Sequence, residues 1–318
     1  MAWNKVIMGI SKRGDRSLQK LVALAKEIAG RKEGLPFSLY SSRKEQHLIN
    51  VPIISPVLVV VLGGVKMLGN CAHPTHLANG GNEAGQLECP AGNFVFLSNS
   101  PVTQMRNIPR YEEYLALLIE FDYEDFTDVR TGYGGKVNPP MCVHGTLEAS
   151  LCRTLEQFVE WSSFAPASLW PSRRREIIQL IHHLGYDSIG QLASPPTLGY
   201  RVYELLKQNM ETDLSVIELA GVLAMSDSTL RRKLAVEGTS VQEIKDRTRL
   251  GYGLHLIQTT MQPVGLIAER CGYASSSRFT ERFKSLFGIT PSDLRKTRLP
   301  DQGERLPEQA LIFSHLSE

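Results

Sequence analysis

An internal duplication dominates the last third of the chain. The segments IELAGVLAMSDSTLRRKLAVEGTS and VGLIAERCGYASSSRFTERFKSLFGITP repeat the same order of features. Each begins with an apolar stretch containing Leu-Ala or Ile-Ala, passes through a short turn and a serine, and ends in a stretch carrying Arg and Lys. Such a repeat indicates two copies of one supersecondary unit. The spacing of the apolar residues predicts two helices in each copy, and therefore two helix-turn-helix units.

Polar residues mark the expected starts of these helices. The pairs Ser215/Glu218 and Ser240/Glu243 have the S-x-x-E spacing of a capping box, in which both side chains satisfy free backbone N–H groups. Ser226 and Ser275 stand where the second helix of each unit must begin, and serine is a preferred N-cap residue. Gly272 is expected to form the turn of the second unit.

The second helix of such a unit enters the major groove of DNA, so its outward residues are candidates for contact. Leu230 with Leu234, and Phe279 with Phe283, have the i, i+4 spacing of core pairs. The remaining polar side chains would then face outward, and arginine suits bidentate recognition of guanine. The predicted DNA-binding residues are Ser228, Arg231, Arg232, Ser276, Ser277, Arg278, Glu281 and Arg282.

Local charge supports this interpretation, although the whole chain carries only +2 over 318 residues. Residues 226–298 contain thirteen Lys or Arg and seven Asp or Glu, which gives +6. Between the units, residues 240–258 carry Ile244, Leu250, Leu254 and Ile257 on one helical stripe. A helix of about 18 residues would be roughly 27 Å long. It would help to place two recognition helices near the spacing of about 34 Å between successive major-groove segments.

These residues resemble the AraC/XylS family of transcription regulators. The resemblance rests on IAERCGYASSSRFTERFK at 267–284 and FGITPSDLR at 287–295, and it covers residues 200–298. It implies a bihelical DNA-binding domain that recruits RNA polymerase at promoters, usually as an activator. Leu266 stands where an acidic residue is common in the family, and Glu281 where a basic or polar DNA contact is common. These two departures bear on base preference rather than on the fold.

The first half of the chain has a different pattern. Residues 15–30 predict an amphipathic helix, and short apolar runs between turn-forming residues from 34 to 126 predict a small β-barrel or sandwich. The apolar run 51–61 is interpreted as one buried strand. Residues 90–99 resemble the second motif of cupin barrels, with Val95 at the metal-binding histidine position. This resemblance implies a regulatory domain rather than a metal enzyme.

The sequence therefore predicts an α+β multidomain chain, with an N-terminal cupin-like β-barrel flanked by helices and a C-terminal all-α domain. The expected divisions are an N-terminal helical arm, the barrel, dimerisation helices, a linker, the DNA-binding domain and a tail, at 1–33, 34–145, 146–192, 193–199, 200–298 and 299–318. The proline pair in ASPPTL marks the linker.

Helical spacing after the barrel suggests a surface for pairing two copies of the chain. Leu147, Leu151, Leu155 and Phe158 form a stripe that would serve equally as core or as a dimer seam. The arginine run 173–175 would touch DNA phosphates or, as the simpler alternative, lie on a solvated helix start.

Cysteine usage points to a reducing compartment, since five scattered cysteines do not form a disulfide framework. Cys71, His73, His76 and Cys89 suggest zinc, but their spacing matches no closed structural site. No cofactor, metal or catalytic residue is expected. No apolar run approaches the roughly 20 residues that span a bilayer.

The expected function is that of a cytoplasmic, dimeric, sequence-specific transcriptional regulator, and not an enzyme. Its partners would be promoter DNA, RNA polymerase and a second copy of the chain. A small effector or a partner protein would act on the N-terminal domain, through residues that the sequence does not identify. The alternatives are a cupin-type metalloenzyme fused to a DNA-tethering module, and an architectural DNA binder with little sequence preference.

Overall fold

The computed structural model describes residues 12–31, 34–69, 86–97, 100–129, 142–192, 197–210 and 212–298. Nine strands lie within these residues: β1 (Ser38–Ser42), β2 (Gln46–Ile53), β3 (Val57–Gly63), β4 (Val65–Leu68), β5 (Leu87–Pro90), β6 (Asn93–Leu97), β7 (Ser100–Ile108), β8 (Tyr114–Glu120) and β9 (Cys142–Thr146). The α-helices of the same residues are α1 (Lys12–Arg31), α2 (Ala149–Ser162), α3 (Trp170–His183), α4 (Ile189–Leu192), α5 (Leu198–Gln208), α6 (Val216–Val222), α7 (Asp227–Val236), α8 (Val241–Thr259), α9 (Val264–Arg270), α10 (Ser276–Phe287) and α11 (Pro291–Lys296).

The strands form two antiparallel sheets that enclose an apolar interior. One sheet has the order β1-β8-β3-β6-β9 and the other β2-β7-β4-β5. The apolar run 51–61, predicted as one strand, is divided between β2 and β3. Pro56 explains the division, because a proline lacks the N–H that a continuous central strand would need at that position.

Strand β3 lies in the middle of its sheet and is buried on both faces. Leu58 and Val60 pack against the helices, whereas Val57, Val59 and Val61 pack toward the second sheet. This alternation follows from the two-residue period of a strand. A strand covered on both sides must be apolar at nearly every position, as the sequence VLVVVLG is.

Helices α1, α2 and α3 cover the outer face of the five-stranded sheet, with α1 packed on α2. Leu151, Leu155 and Phe158 are at most 1% exposed in this core, and Leu147 packs at its edge. Of the two uses expected for this stripe, the core applies to Leu151, Leu155 and Phe158, whose side chains are covered within one chain.

The contacts of Arg173 and Arg174 show what two arginines of the run 173–175 bind. Arg173 pairs with Glu176 and lies over the ring of Trp161, 5.4 Å from its centre. Arg174 forms ion pairs with Asp122 and Asp125 and is 13% exposed at its side chain. These two arginines thus bind within the N-terminal half, which leaves them poorly placed for DNA phosphates.

Helix α5 begins at Leu198, two residues before the expected start of the C-terminal domain. Thr197 is its N-cap, and its hydroxyl accepts from the Tyr200 backbone N–H. Glu237, at the end of α7, accepts from the backbone N–H groups of Leu198 and Gly199 at 2.9 and 2.8 Å. The start of the C-terminal helical region is thereby tied to the first helix-turn-helix unit.

A buried polar cluster joins the β-sheets to the C-terminal helices. Gln46 of β2 donates to the Thr297 hydroxyl at 2.7 Å and accepts from Gln258 of α8 at 3.3 Å. Asn107 of β7 also donates to the Gln46 carbonyl oxygen, at 3.0 Å. Each of these four residues is less than 9% exposed. Because a buried amide is costly without partners, this contact favours one relative arrangement of the elements it joins.

Among the helices that the structure describes, none combines the length and the apolar character needed to cross a membrane.

Candidate nucleic-acid interface

The first helix-turn-helix unit consists of α6 and α7. Ser215 and Glu218 form the predicted capping box at the start of α6. Ser226 caps α7, with its hydroxyl accepting from the Thr229 backbone N–H at 3.2 Å. Leu230 and Leu234 are fully buried and hold α7 onto the rest of the unit, which turns the opposite side of the helix outward.

The second unit consists of α9 and α10 and repeats this design. Ser275 caps α10 by accepting from the Arg278 backbone N–H at 3.3 Å. Phe279 and Phe283 are fully buried in the positions that leucines occupy in the first unit. Gly272 has φ +74° at the turn between the helices, which is the left-handed region that glycine adopts without strain.

All eight residues predicted to contact DNA are exposed: Ser228, Arg231, Arg232, Ser276, Ser277, Arg278, Glu281 and Arg282. They lie on α7 and α10, within the first two turns of each helix. Two similar polar faces are thus presented by two helices whose opposite sides are anchored in apolar cores.

The arginines on these faces differ in their ion pairing. Arg231 Nε lies 4.0 Å from Asp227 one turn earlier on α7, an exposed contact that holds it weakly. Arg282, in contrast, forms an ion pair with Asp246 of α8. Within the described residues no ion pair is found for Arg278, including with Glu281. Arg278 is therefore the arginine of α10 best placed to bind a new anion.

Helix α8 connects the two units. Its 19 residues correspond to about 28 Å of helix. Ser240 caps it by accepting from the Glu243 backbone N–H, but the reciprocal bond of the predicted capping box is not among its contacts. The Glu243 carboxylate instead pairs with Arg247 at 2.6 Å, one turn along the helix.

Ion pairs on α8 were not predicted from the sequence. Asp213, just before the first unit, accepts from Lys245 and Arg249 at 2.8 and 2.9 Å. The hydrogen bond from Lys245 lowers the pKa of Asp213. The spacing of Lys245 and Arg249, one helical turn apart, was the only available signal, because it places two cations on one face. Nothing in the sequence indicated that Asp213 would meet them.

Two buried residues of the N-terminal half, Val95 and Lys66, bear on whether this half could hold a metal or a ligand. Val95, at the cupin histidine position, is fully buried among the residues between the two sheets, so this position carries no metal ligand. Lys66 of β4 is 4% exposed and donates to Asn107 Oδ1 at 2.9 Å. The Lys66 ammonium also lies over the ring of Tyr114, 5.9 Å from its centre, so its burial is accompanied by polar and aromatic contacts.

The cysteine and histidine set considered for zinc lies mostly outside the described residues, since these do not include Cys71, His73 or His76. Cys89 is 2% exposed on β5, and burial raises the pKa of its thiol to about 12. Among the described residues, no group of three or more His, Cys, Asp or Glu could hold a metal ion.

Two helix-turn-helix units joined by one connecting helix form the kind of domain that recognises DNA with two helices. Comparison with known proteins agrees: residues 219–297 match the family described as "Helix-turn-helix domain". The C-terminal region of this chain therefore contains a helix-turn-helix domain.

Several curated relatives share this region. The regulator AdiY of Escherichia coli K12 is 30% identical over 90 residues, covering 28% of this chain and 36% of AdiY. The transcriptional regulator SirC of Salmonella typhimurium is 33% identical over 113 residues, covering 36% of this chain and 38% of SirC. The chain thus spans little more than a third of the length of these relatives, which are named as regulators and not as enzymes.

Similarity to solved structures extends over both halves of the chain. The structure of ToxT from Vibrio cholerae bound to an unsaturated fatty acid has a TM-score of 0.57 at 16% identity, covering 84% of this chain and 96% of ToxT. A 1.65 Å structure of ToxT has a TM-score of 0.58 at the same identity, covering 84% and 100%. The two-domain fold, a cupin-like sheet domain followed by a helical helix-turn-helix domain, is therefore shared with ToxT.

Proposed function

We propose that this protein is a sequence-specific DNA-binding transcriptional regulator, in which α7 and α10 enter successive major-groove segments of a promoter. The observation that carries the proposal is the pairing of two capped recognition helices, each with exposed arginine and serine near its N-terminus. Side chains at the start of a recognition helix are the ones that reach base edges.

Arg231→Ala and Arg278→Ala test this assignment in the full-length protein. Each substitution should weaken binding to a promoter fragment selected by the wild-type protein, by about tenfold to a hundredfold, because one arginine contact to a base contributes about 1–3 kcal/mol. Gel shifts at a fixed salt concentration measure the change. Arg110→Ala is the matched control, since Arg110 is an exposed arginine beside the β7–β8 turn.

Unchanged affinity in both variants would show that these helix faces do not read DNA. Equal affinity of the wild-type protein for promoter and random fragments would instead indicate an architectural DNA binder. Because phosphate contacts make affinity depend on salt, every comparison is made at several salt concentrations.

The proposal extends to control by the N-terminal domain. It is supported by the polar cluster around Gln46, through which β2 contacts α8 and the residue after α11. ToxT, which has the same fold, binds an unsaturated fatty acid in one of its structures. We propose a small effector, with an acidic amphiphile as the first ligand class to test, or alternatively a partner protein.

Isothermal titration with a monounsaturated fatty acid, followed by gel shifts with and without it, separates these two inputs. Saturable binding that changes DNA affinity supports the small effector. Absence of binding removes that class and favours the partner protein.

RNA polymerase recruitment, activation, dimerisation and a cytoplasmic location remain parts of the proposal. Helices α2 and α3 would contribute to a dimer only through residues outside their buried stripe.

A further inference from the structure

One arginine of the connecting helix contacts both helix-turn-helix units. Arg249 Nη2 lies 2.9 Å from the carboxylate of Asp213, which precedes the first unit. On the other side, a Cβ placed on Gly272 would lie 3.3 Å from Nε, Cζ and Nη2 of Arg249. The guanidinium therefore covers the turn of the second unit while it binds the entry to the first.

A glycine lies on the side of Arg249 that faces the second unit. Gly272 has φ +74°, and the guanidinium occupies the space beside its Cα. A Cβ at this position would strain the backbone, and the guanidinium would have to shift by a few tenths of an ångström to admit it. The contact thus brings the Arg249 side chain of α8 against the α9–α10 turn.

The side of Arg249 that faces the first unit is reinforced by a second cation. Lys245 lies one turn before Arg249 on α8, and its Nζ is 2.8 Å from the same Asp213 oxygen. The side chains of Lys245 and Arg249 are only 11% and 20% exposed, whereas Asp213 is 69% exposed. Two largely covered cations of the connecting helix therefore hold one carboxylate at the entry to the first unit.

We propose that Arg249, acting through Asp213 and the Gly272 turn, is a positioning residue that sets the distance between the two recognition helices. It would thereby determine which spacing between two half-sites the monomer accepts. The inference rests on the proposed function, because spacing matters only if both units bind DNA. Half-sites read from one face must lie about one helical turn apart.

A set of DNA duplexes with altered spacing tests the inference in the full-length protein. The wild-type promoter fragment is compared with fragments in which one, two or three base pairs are inserted or deleted between the half-sites, and with single half-sites. We expect Arg249→Gln to reduce the discrimination between the best and the altered spacings by about tenfold, a typical size for coupling between sites. Affinity for each single half-site should stay unchanged.

Arg247→Gln is the matched control. Arg247 is a partly covered arginine of the same helix, but its ion pair with Glu243 lies within α8, and among the described residues no ion pair joins it to either unit. The Arg247→Gln substitution removes the same charge as Arg249→Gln and should preserve the preference for one half-site spacing. Arg249→Lys keeps the charge for Asp213 but not the planar cover over Gly272, and should restore part of the preference.

The outcomes distinguish a failure of the proposed DNA-binding function from a failure of the role proposed for Arg249. If the wild-type protein shows no preference for any DNA sequence, the proposed function fails. If it prefers one spacing and Arg249→Gln prefers it equally, the inference on Arg249 is overturned. Circular dichroism checks folding, and if Arg249→Gln is unfolded, Asp213→Asn decides instead, because this exposed residue is replaced by one of the same shape.

Discussion

At the scale of single residues, the turns of the two helix-turn-helix units differ in backbone strain. Ala224 occupies the turn of the first unit with φ +54°, where Gly272 occupies the turn of the second with φ +74°. A left-handed backbone costs an L-residue with a Cβ roughly 1–2 kcal/mol. The first unit therefore retains a local strain that the second avoids.

Ala224→Gly should relieve this strain. We expect an increase in the free energy of unfolding of about 0.5–1 kcal/mol, because the gain is partly offset by the greater entropy of glycine in the unfolded chain. Urea denaturation followed by circular dichroism measures it. The control Ala235→Gly, on the exposed side of α7, should destabilise by about 1 kcal/mol. A loss of stability in Ala224→Gly would contradict the strain argument.

At the scale of elements, each recognition helix depends on one serine at its start. Ser275 accepts from the Arg278 backbone N–H, so it fixes the turn of α10 that carries Ser276, Ser277 and Arg278. Loss of such a cap costs helices about 1 kcal/mol. The capping residue thus supports the same backbone from which the proposed DNA contacts extend.

Ser275→Ala should lower the free energy of unfolding by about 1 kcal/mol. Ser277→Ala, within the first turn of the same helix, is the control and should leave stability nearly unchanged, because alanine is the better helix former. Thermal denaturation of both variants makes the comparison. Equal stability of Ser275→Ala and the wild-type protein would mean that the hydroxyl contributes nothing to α10.

Local signals predicted the helices of this protein well, because the chemistry that starts a helix lies within four residues. Ser226, Ser275 and the buried pair Phe279 and Phe283 were confirmed for this reason. The pairing of Arg282 with Asp246 was missed, since it joins residues 36 positions apart. The sequence left open whether the stripe at residues 147–158 serves as core or as dimer seam for a related reason: an apolar stripe does not reveal which surface covers it.

At the scale of the whole molecule, a histidine lies where the N-terminal sheet meets α8. His255 Nδ1 is 3.2 Å from the hydroxyl of Tyr40 on β1, and burial lowers the pKa of His255 below its ordinary value. Glu120 acts in the opposite direction, but burial is the larger effect. The folded protein therefore favours neutral His255.

This placement predicts a dependence of stability on pH. The unfolded chain takes up a proton near pH 6.5, whereas folded His255 takes it up only at lower pH. The stabilisation is fully present above pH 6.5 and is lost as the pH falls toward the folded pKa, with a slope of at most about 1.4 kcal/mol per pH unit.

Urea denaturation between pH 5 and 7.5 measures this dependence. His255→Gln should show a shallower decline than the wild-type protein below pH 6.5, and the difference between the two isolates the contribution of His255 from that of the carboxylates. His47→Gln is the control, because His47 is exposed on β2. Parallel curves for His255→Gln and the wild-type protein would remove His255 as the cause.

The apolar interior of the sheets continues without a break into the second helix-turn-helix unit. Val59 and Val95 belong to the same cluster as Phe279, Phe283 and Phe287, whereas the first unit has its own separate core. The two similar helix-turn-helix units therefore pack against different neighbours. The second unit shares its core with the N-terminal sheets and the first has a core of its own, so a change in the packing of the sheets would affect the two proposed recognition helices unequally.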